Sequence, residues 1–200
     1  MDWVRITHFG HSCVLVELSD GRRILLDPGV YSAGFEDLTR LDAILVTHEH
    51  PDHRDPERLP ALVKANPDAQ VADGPGIPSS LTVGGSTIRV VAGDHALVHQ
   101  DVPRVRNNAF LIDDLVFHPG DSFALPPGPV RILLLPTGGP WMKAGEAVDY
   151  LRAVAPAIAI PIHQAGLADI HQRLHYGLFQ DLAPSETIVH VLDHGVPAAF

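Results

Sequence analysis

The chain has 200 residues, of which 46% are hydrophobic and 19% charged, so it is predicted to fold around a sizeable core and is not a disordered chain. Its formal net charge of −10 argues against nonspecific binding to nucleic acid, which usually needs a basic surface. The single cysteine, Cys13, excludes an intramolecular disulfide, and its apolar neighbours predict a buried, inert thiol. The segment 1–5 lacks a basic region followed by an apolar core, and no run of about 18 apolar residues exists. We therefore expect no signal peptide and no membrane span, and predict a cytoplasmic protein.

Predicted strands in the first half coincide with short apolar runs, at 3–8, 13–18, 22–26, 43–46, 71–72, 81–83 and 87–92. Asp20-Gly21 lies between the second and third runs and is a strong hairpin signal, so the chain is predicted to open with a β-meander. Asp55-Pro56 offers a capping carboxylate and a proline for the first helical position, which predicts a short helix to about residue 65. The segments 30–42 and 73–80 are predicted to be loops.

Predicted strands in the second half lie at 109–112, 115–118, 131–135, 157–162 and 187–192. A helix is predicted over 143–155, because apolar residues recur there at the spacing of one buried face, at Ala144, Ala147, Val148, Leu151 and Val154. A further helix is predicted over 165–181. Because a meander, a ligand-bearing loop and a helix occur twice, we expect one domain over 1–200 with two packed halves, about 1–100 and 101–200.

The densest polar motif is Thr47-His48-Glu49-His50-Pro51-Asp52-His53, directly after a predicted buried strand. Imidazole and carboxylate are ligands that suit zinc, manganese or iron. Because a loop bends back on itself, His48 and His50 can face one ion while Asp52 and His53 face another. Two ions about 3.5–4 Å apart would share a hydrolytic water. The alternative is a polar loop in a chain with 13 histidines, but the H-x-H-x-D-H spacing favours the metal site.

This loop resembles the signature loop of the metallo-β-lactamase-fold hydrolases. Four other segments resemble motifs of that family in the same order, at Phe9-Gly10-His11-Ser12-Cys13, Leu25-Leu26-Asp27-Pro28, Pro119-Gly120-Asp121-Ser122 and Pro161-Ile162-His163. The first two resemble its small single-domain branch, which includes the ascorbate-6-phosphate lactonase-like proteins. The resemblance covers nearly the whole chain. It implies an α/β fold of four layers, an αββα sandwich in which helices cover the outer faces of two mixed sheets.

The resemblance also implies two sets of metal ligands that share Asp121 as a bridge: His48, His50 and a mid-chain histidine, and Asp52, His53 and His163. The mid-chain histidine is His95 or His99. We favour His95, because it follows a predicted strand end, where the family places its third ligand. The alternatives are a surface histidine at either of these two positions, a core histidine at His163 and an ordinary turn residue at Asp121.

Three more residues are candidates for supporting roles. Asp27 would accept a proton from a ligand histidine and fix its tautomer, or it is a turn aspartate that caps Gly29. His11 would reach the metal loop or a substrate anion, or it bonds the backbone of the first turn. Trp141 would form a wall of the substrate pocket, or it packs on a helix as an isolated aromatic residue.

The predicted function is hydrolysis of a small ester, lactone or phosphodiester by hydroxide at a binuclear site. We expect two divalent ions per chain, zinc first, with manganese or iron(II) as alternatives, and Asp52 and Asp121 as catalytic residues. The alternative functions are a non-catalytic metal-binding regulatory module, a nuclease and a di-iron redox protein. The di-iron branch has H-x-E-x-D-H where this chain has His50, which argues against it. The predicted partner is a small-molecule substrate, with no nucleic acid and no membrane; a homo-oligomer is left open.

Overall fold

The structure is a computed structural model that describes residues 3–200. Met1 and Asp2 lie outside the described residues; they belong to the segment 1–5, in which no signal peptide is expected. The strands in chain order are β1 (Val4–His8), β2 (Val14–Leu18), β3 (Arg23–Leu26), β4 (Ala43–Leu45), β5 (Gln70–Ala72), β6 (Ser80–Val83), β7 (Ser86–Asp94), β8 (Arg106–Ile112), β9 (Val116–His118), β10 (Ile132–Pro136), β11 (Ile158–Ile162), β12 (Ile188–Val189) and β13 (Ala198–Ala199). The helices are α1 (Arg58–Ala65), α2 (Ala144–Val154) and α3 (Asp169–Leu182).

The strands form two mixed sheets with related plans. The first has the order β13-β1-β2-β3-β4-β5, and the second has the order β12-β11-β10-β9-β8-β7-β6. In the first sheet β1, β2 and β3 pair antiparallel, and β3, β4 and β5 pair parallel. In the second, β6 to β9 pair antiparallel, and β9 to β12 pair parallel. Each sheet therefore begins as a meander and continues as parallel strands.

Three apolar clusters define the layers. The largest lies between the sheets and contains side chains of both, among them Ile24, Leu45, Phe110 and Ile132. A second lies outside the first sheet, where α1 contributes Leu59 and Leu62, and a third lies outside the second sheet, where α2 and α3 contribute Leu151 and Phe179. Successive residues of a strand face opposite sides, so Ile44 packs under α1 while Leu45 packs between the sheets. The predicted αββα sandwich of two mixed sheets is confirmed.

Several element boundaries differ from the predictions by a few residues, among them the start of α1 and the end of β12. Helix α1 begins at Arg58 and not at Pro56, although Asp55 does cap it: its Oδ1 accepts the backbone N–H groups of Glu57 and Arg58, both at 2.8 Å. Strand β12 ends at Val189, short of the predicted residue 192. The chain then crosses to the first sheet, where the Gly195 amide donates to the His8 carbonyl at 2.8 Å.

The topology brings the polar motifs together at one edge of the sandwich. Asp27 directly follows β3, His48 follows β4, Asp121 follows β9 and His163 directly follows β11. The carboxyl ends of parallel strands share an edge, which is where α/β sheets commonly place a site. None of the helices in residues 3–200 combines the length and apolar character needed to cross a bilayer.

Candidate metal centre

The first group of ligand atoms comes from His48, His50 and His95, whose candidate atoms all lie within 4.8 Å of one another. Nε2 of His48 is 3.1 Å from Nδ1 of His50. His48 and His95 are buried, whereas His50 is half-buried. The other mid-chain candidate, His99, is exposed and lies 3.5 Å from Asp101. The structure therefore brings His95, and not His99, to this group.

The second group contains Asp52, His53 and His163, and His11 lies beside it. Oδ2 of Asp52 is 3.9 Å from Nε2 of His53 and 3.7 Å from Nε2 of His163. The loop that carries Asp52 packs so closely on Gly29 that a Cβ atom there would overlap the Asp52 carbonyl. Only glycine fits beneath the loop at this position.

Asp121 lies between the two groups and directs one carboxylate oxygen at each. Its Oδ1 is 3.0 Å from Nε2 of His53 and 3.0 Å from Nε2 of His163. Its Oδ2 is 3.2 Å from Nε2 of His95. The preceding Gly120 has a φ of +60°, and a Cβ atom there would overlap the side chains of Asn107 and Thr47. The Gly-Asp pair thus allows the aspartate to reach a position that a bulkier predecessor would block.

Three of the histidines donate a hydrogen bond from Nδ1 to an oxygen that can only act as an acceptor. For His53, His95 and His163 the acceptors are, in that order, the Asp27 carboxylate at 2.7 Å, the Ala96 carbonyl at 2.6 Å and the Gly138 carbonyl. The proton of each neutral ring is therefore on Nδ1, and Nε2 keeps its lone pair. Such outer partners orient a histidine for metal binding.

A buried polar layer lies beneath the ligand atoms. The fully buried Asp27 carboxylate accepts the Thr47 N–H at 2.7 Å and the Thr47 hydroxyl at 2.8 Å, in addition to His53. Nε2 of His118 is 2.9 Å from the same carboxylate. The Thr47 hydroxyl oxygen in turn lies 3.0 Å from Nδ1 of His48. Asp27 therefore orients His53 directly and His48 through Thr47. Its carboxylate does not cap Gly29, because the Gly29 N–H donates to the backbone carbonyl of Asp27.

Four buried atoms at the centre make no hydrogen bond. One of them, Nε2 of His118, lies in the layer beneath, beside Asp27, and the other three are Nε2 of His53, Nε2 of His163 and Oδ1 of Asp121. The nitrogens are within 3.0 Å of the oxygen, but the groups are not aligned as donor and acceptor. Buried polar atoms without partners are costly and uncommon in native proteins. A divalent cation accepts electron pairs from all three atoms at once, so this donor set fits a metal ion.

The charges at the centre are strongly coupled. Burial alone would lower the pKa of His53, but the carboxylates of Asp121 and Asp27 raise it well above its usual value. Burial would raise the pKa of Asp121, but His53 and His163 hold it well below the usual range. Burial lowers the pKa of His48 to about 3. The centre thus holds the ionised carboxylates of Asp27 and Asp121 against the His53 ring, whose pKa they raise.

His11 and Trp141 support the two carboxylates. Nδ1 of His11 accepts the Ala165 N–H at 3.3 Å, so its Nε2–H donates to Oδ2 of Asp52 at 3.0 Å. Both ring nitrogens of His11 are thereby used, which argues against a role as a ligand. The indole N–H of Trp141 donates to Oδ2 of Asp121 at 2.9 Å. Trp141 therefore holds the aspartate between the two groups.

Three non-glycine residues of the centre have left-handed backbones: His11, Asp27 and His163, with φ of 47°, 44° and 59°. Such conformations cost about 1–3 kcal/mol each and persist where the surrounding structure fixes them. The His163 N–H donates to the His11 carbonyl at 2.7 Å, which links two of them. Strain of this kind clusters at functional sites.

Sequence reasoning missed His118 and Thr47 as members of the centre. Both are buried and both contact Asp27. The available signal was their position, because each lies at the carboxyl end of a strand that leads to a predicted ligand.

Comparison with known proteins assigns the family. A family model described as the beta-lactamase superfamily domain matches residues 5–163. The chain is 42% identical over 201 residues to Rv0786c of Mycobacterium tuberculosis, which covers 92% of this chain and 94% of that protein. It is 28% identical over 188 residues to the UPF0173 metal-dependent hydrolase MJ1163 of Methanocaldococcus jannaschii, covering 79% of this chain and 83% of that one.

The fold is shared with solved structures. Igni18, a metallo hydrolase from Ignicoccus hospitalis, superposes with a TM-score of 0.73 at 23% identity and covers 99% of this chain and 98% of that chain. The chain belongs to the beta-lactamase superfamily, and the resemblance to its small branch that the motifs indicated is confirmed.

Proposed function

We propose that this member of the beta-lactamase superfamily is a metal-dependent hydrolase that holds two divalent cations and cleaves a small ester, lactone or phosphodiester. The observation that carries the proposal is the set of buried, unpaired atoms of His53, His163 and Asp121. Asp121 lies between two groups of ligand atoms, which favours two ions over one. The names of the Methanocaldococcus and Ignicoccus proteins, both called hydrolases, support the same class.

The proposed ligands are those predicted from the sequence: His48, His50 and His95 for one ion, Asp52, His53 and His163 for the other, and Asp121 for both. Zinc is the first choice for this imidazole-rich set, with manganese or iron(II) as alternatives. When bound, two such ions lower the pKa of a water molecule and polarise a carbonyl or phosphoryl group.

Asp52 and Asp121 have different tasks in this scheme. Burial would raise the pKa of Asp52, but its hydrogen bond with His11 and the nearby His53 lower it to about 2. Asp52 is therefore ionised at neutral pH, and with its side chain 23% exposed it can hold a proton of the attacking water at Oδ2. The buried Asp121, held by Trp141, would orient the water and would relay to the leaving group the proton that Asp52 takes from the water.

The test is hydrolysis by the purified protein before and after chelation, with p-nitrophenyl butyrate, a lactone and bis-p-nitrophenyl phosphate as substrates. We expect activity on at least one substrate, its loss on chelation and its return with zinc, manganese or iron(II). Unchanged activity after complete removal of metal would contradict the proposal, as would a reloaded protein that is inert on all three substrates.

A further inference from the structure

A cavity of about 540 Å³ opens beside Asp52 and His163, at the second group of proposed ligands. Sites for small ligands commonly measure about 300–1,000 Å³, so the cavity can hold the body of a small substrate. Its position places that body next to the atoms that would hold the attacking water.

The walls of this cavity beyond the proposed centre are apolar. Leu167 and Pro140 line one part of it, and Tyr31 lines another. Leu167 packs directly on Gly138, where a Cβ atom would collide with its side chain, so the leucine has a fixed place in the wall. Tyr31 is 60% exposed and meets the His11 ring edge-on at 5.4 Å, which places it at the mouth.

The cavity has no cationic side chain among the described residues that line it, and its one carboxylate is Asp52. Arg104 and Arg106 instead line a different cavity, of about 250 Å³, beside His48 and Glu49. A carboxylate or phosphate on a substrate body that lies along Leu167, Pro140 and Tyr31, away from the proposed metal ligands, would find no cationic side chain among these residues. An unpaired charge that loses its water in this way is strongly disfavoured.

We propose that the group bound in this cavity is uncharged and apolar, so that the substrate is an ester or lactone with a neutral aliphatic or aromatic acyl body. This inference rests on the proposed function. It narrows the substrate class, because it excludes substrates whose acyl body carries a carboxylate or a phosphate.

The direct test compares two substrates with the same leaving group, p-nitrophenyl butyrate and mono-p-nitrophenyl succinate, on the metal-loaded protein. They differ by a terminal carboxylate on the acyl chain. We expect kcat/KM to be at least ~10-fold higher for the butyrate, because a cavity without a matching partner rejects a charged group. Equal rates, or a preference for the succinate, would overturn the inference and leave the hydrolase proposal standing.

A variant pair locates the preference. Leu167→Lys places a cation in the wall and should shift the ratio of the two kcat/KM values at least ~10-fold towards the succinate. Ile170→Lys adds the same charge on α3 at a side chain that is 66% exposed and outside the cavity lining, and should leave the ratio unchanged. Equal shifts in both variants would show that general charge, and not the cavity, sets the preference.

Binding to metal-free protein separates this inference from the proposed function. Calorimetric titration would compare butyranilide with succinanilic acid, two amides that differ by the same carboxylate. We expect tighter binding of butyranilide, by at least ~5-fold, and a reversal in Leu167→Lys. If neither ester is hydrolysed but this order holds, the hydrolase proposal fails and the cavity assignment stands. Tighter binding of succinanilic acid, or no measurable binding of either amide, would overturn the cavity assignment.

Discussion

The centre has an upper and a lower layer, which use histidine and aspartate side chains for different purposes. In the upper layer, His53, His163 and Asp121 present buried atoms that make no hydrogen bond. In the lower layer, Asp27 accepts hydrogen bonds from Thr47 and from His53. A carboxylate whose hydrogen bonds are complete orients its neighbours. Buried atoms that lie close together without a hydrogen bond are instead available to bind a ligand such as a metal ion.

The difference predicts separate consequences when each layer is altered. Loss of a carboxylate beside the unpaired atoms, such as that of Asp52, should abolish hydrolysis while the protein still folds. Loss of the lower carboxylate should loosen the ligands, weaken metal binding and destabilise the protein together.

The largest expected effect is that of Asp52→Ala. Loss of this carboxylate removes a proposed ligand and the proposed proton acceptor, so kcat should fall by about 10²–10⁴-fold. The metal-free protein should remain folded and lose only about 1–3 kcal/mol of its free energy of unfolding, because the variant leaves the buried N–H of His11 without its acceptor. Asp68→Ala, at an exposed turn, is the matched control and should match the wild type. Wild-type activity in Asp52→Ala would refute the assigned roles.

The second prediction concerns Asp27→Asn, which keeps the shape of the lower layer but removes its charge. The amide holds His53 less well, so metal affinity should fall by about 10–100-fold in a competition assay with a chelator. Asp55→Asn provides a control of similar burial, since Asp55 caps α1 and pairs with Arg58 away from the centre. That variant should lose stability and keep its metal affinity. Equal metal affinities in the two variants would assign Asp27 a purely structural role.

Part of the proposed metal centre can be predicted from the sequence. The proposed ligands from His48 to His53 occupy one short loop after a buried strand, so their spacing alone predicts a metal site there. His95 could be favoured over His99 because it follows the predicted strand 87–92, and the family that the motifs resemble places its third ligand just beyond a strand end. In the structure β7 ends at Asp94, directly before His95.

Contacts between the sheets carry no such local pattern. His118 meets Asp27 only because β9 and β3 belong to different sheets that pack together, and sequence periodicity does not record which strand ends face each other. The same limit applies to β13, whose two alanines become a strand only by pairing with β1. The division into halves near residue 100 stays a prediction.

The smallest expected effect is the release of protons when the protein binds metal. The carboxylates of Asp121 and Asp27 raise the pKa of His53 well above its usual value, so its ring is cationic at neutral pH, whereas a ligand histidine must be neutral. Metal loading at pH 7 should therefore release ~1 proton or more per chain. Asp27→Asn should release less, because it removes a carboxylate that raises the His53 pKa. Calorimetry in buffers of different ionisation enthalpy measures this number, and no release, or an equal release in the variant, would contradict the charge assignment.

The most direct measurement is the number and position of the metal ions. Elemental analysis of zinc-reloaded protein, combined with anomalous diffraction from its crystals, should show two ions per chain with one Asp121 oxygen on each. A single ion or none, or two ions that Asp121 does not contact, would contradict the binuclear centre on which the proposed hydrolysis depends.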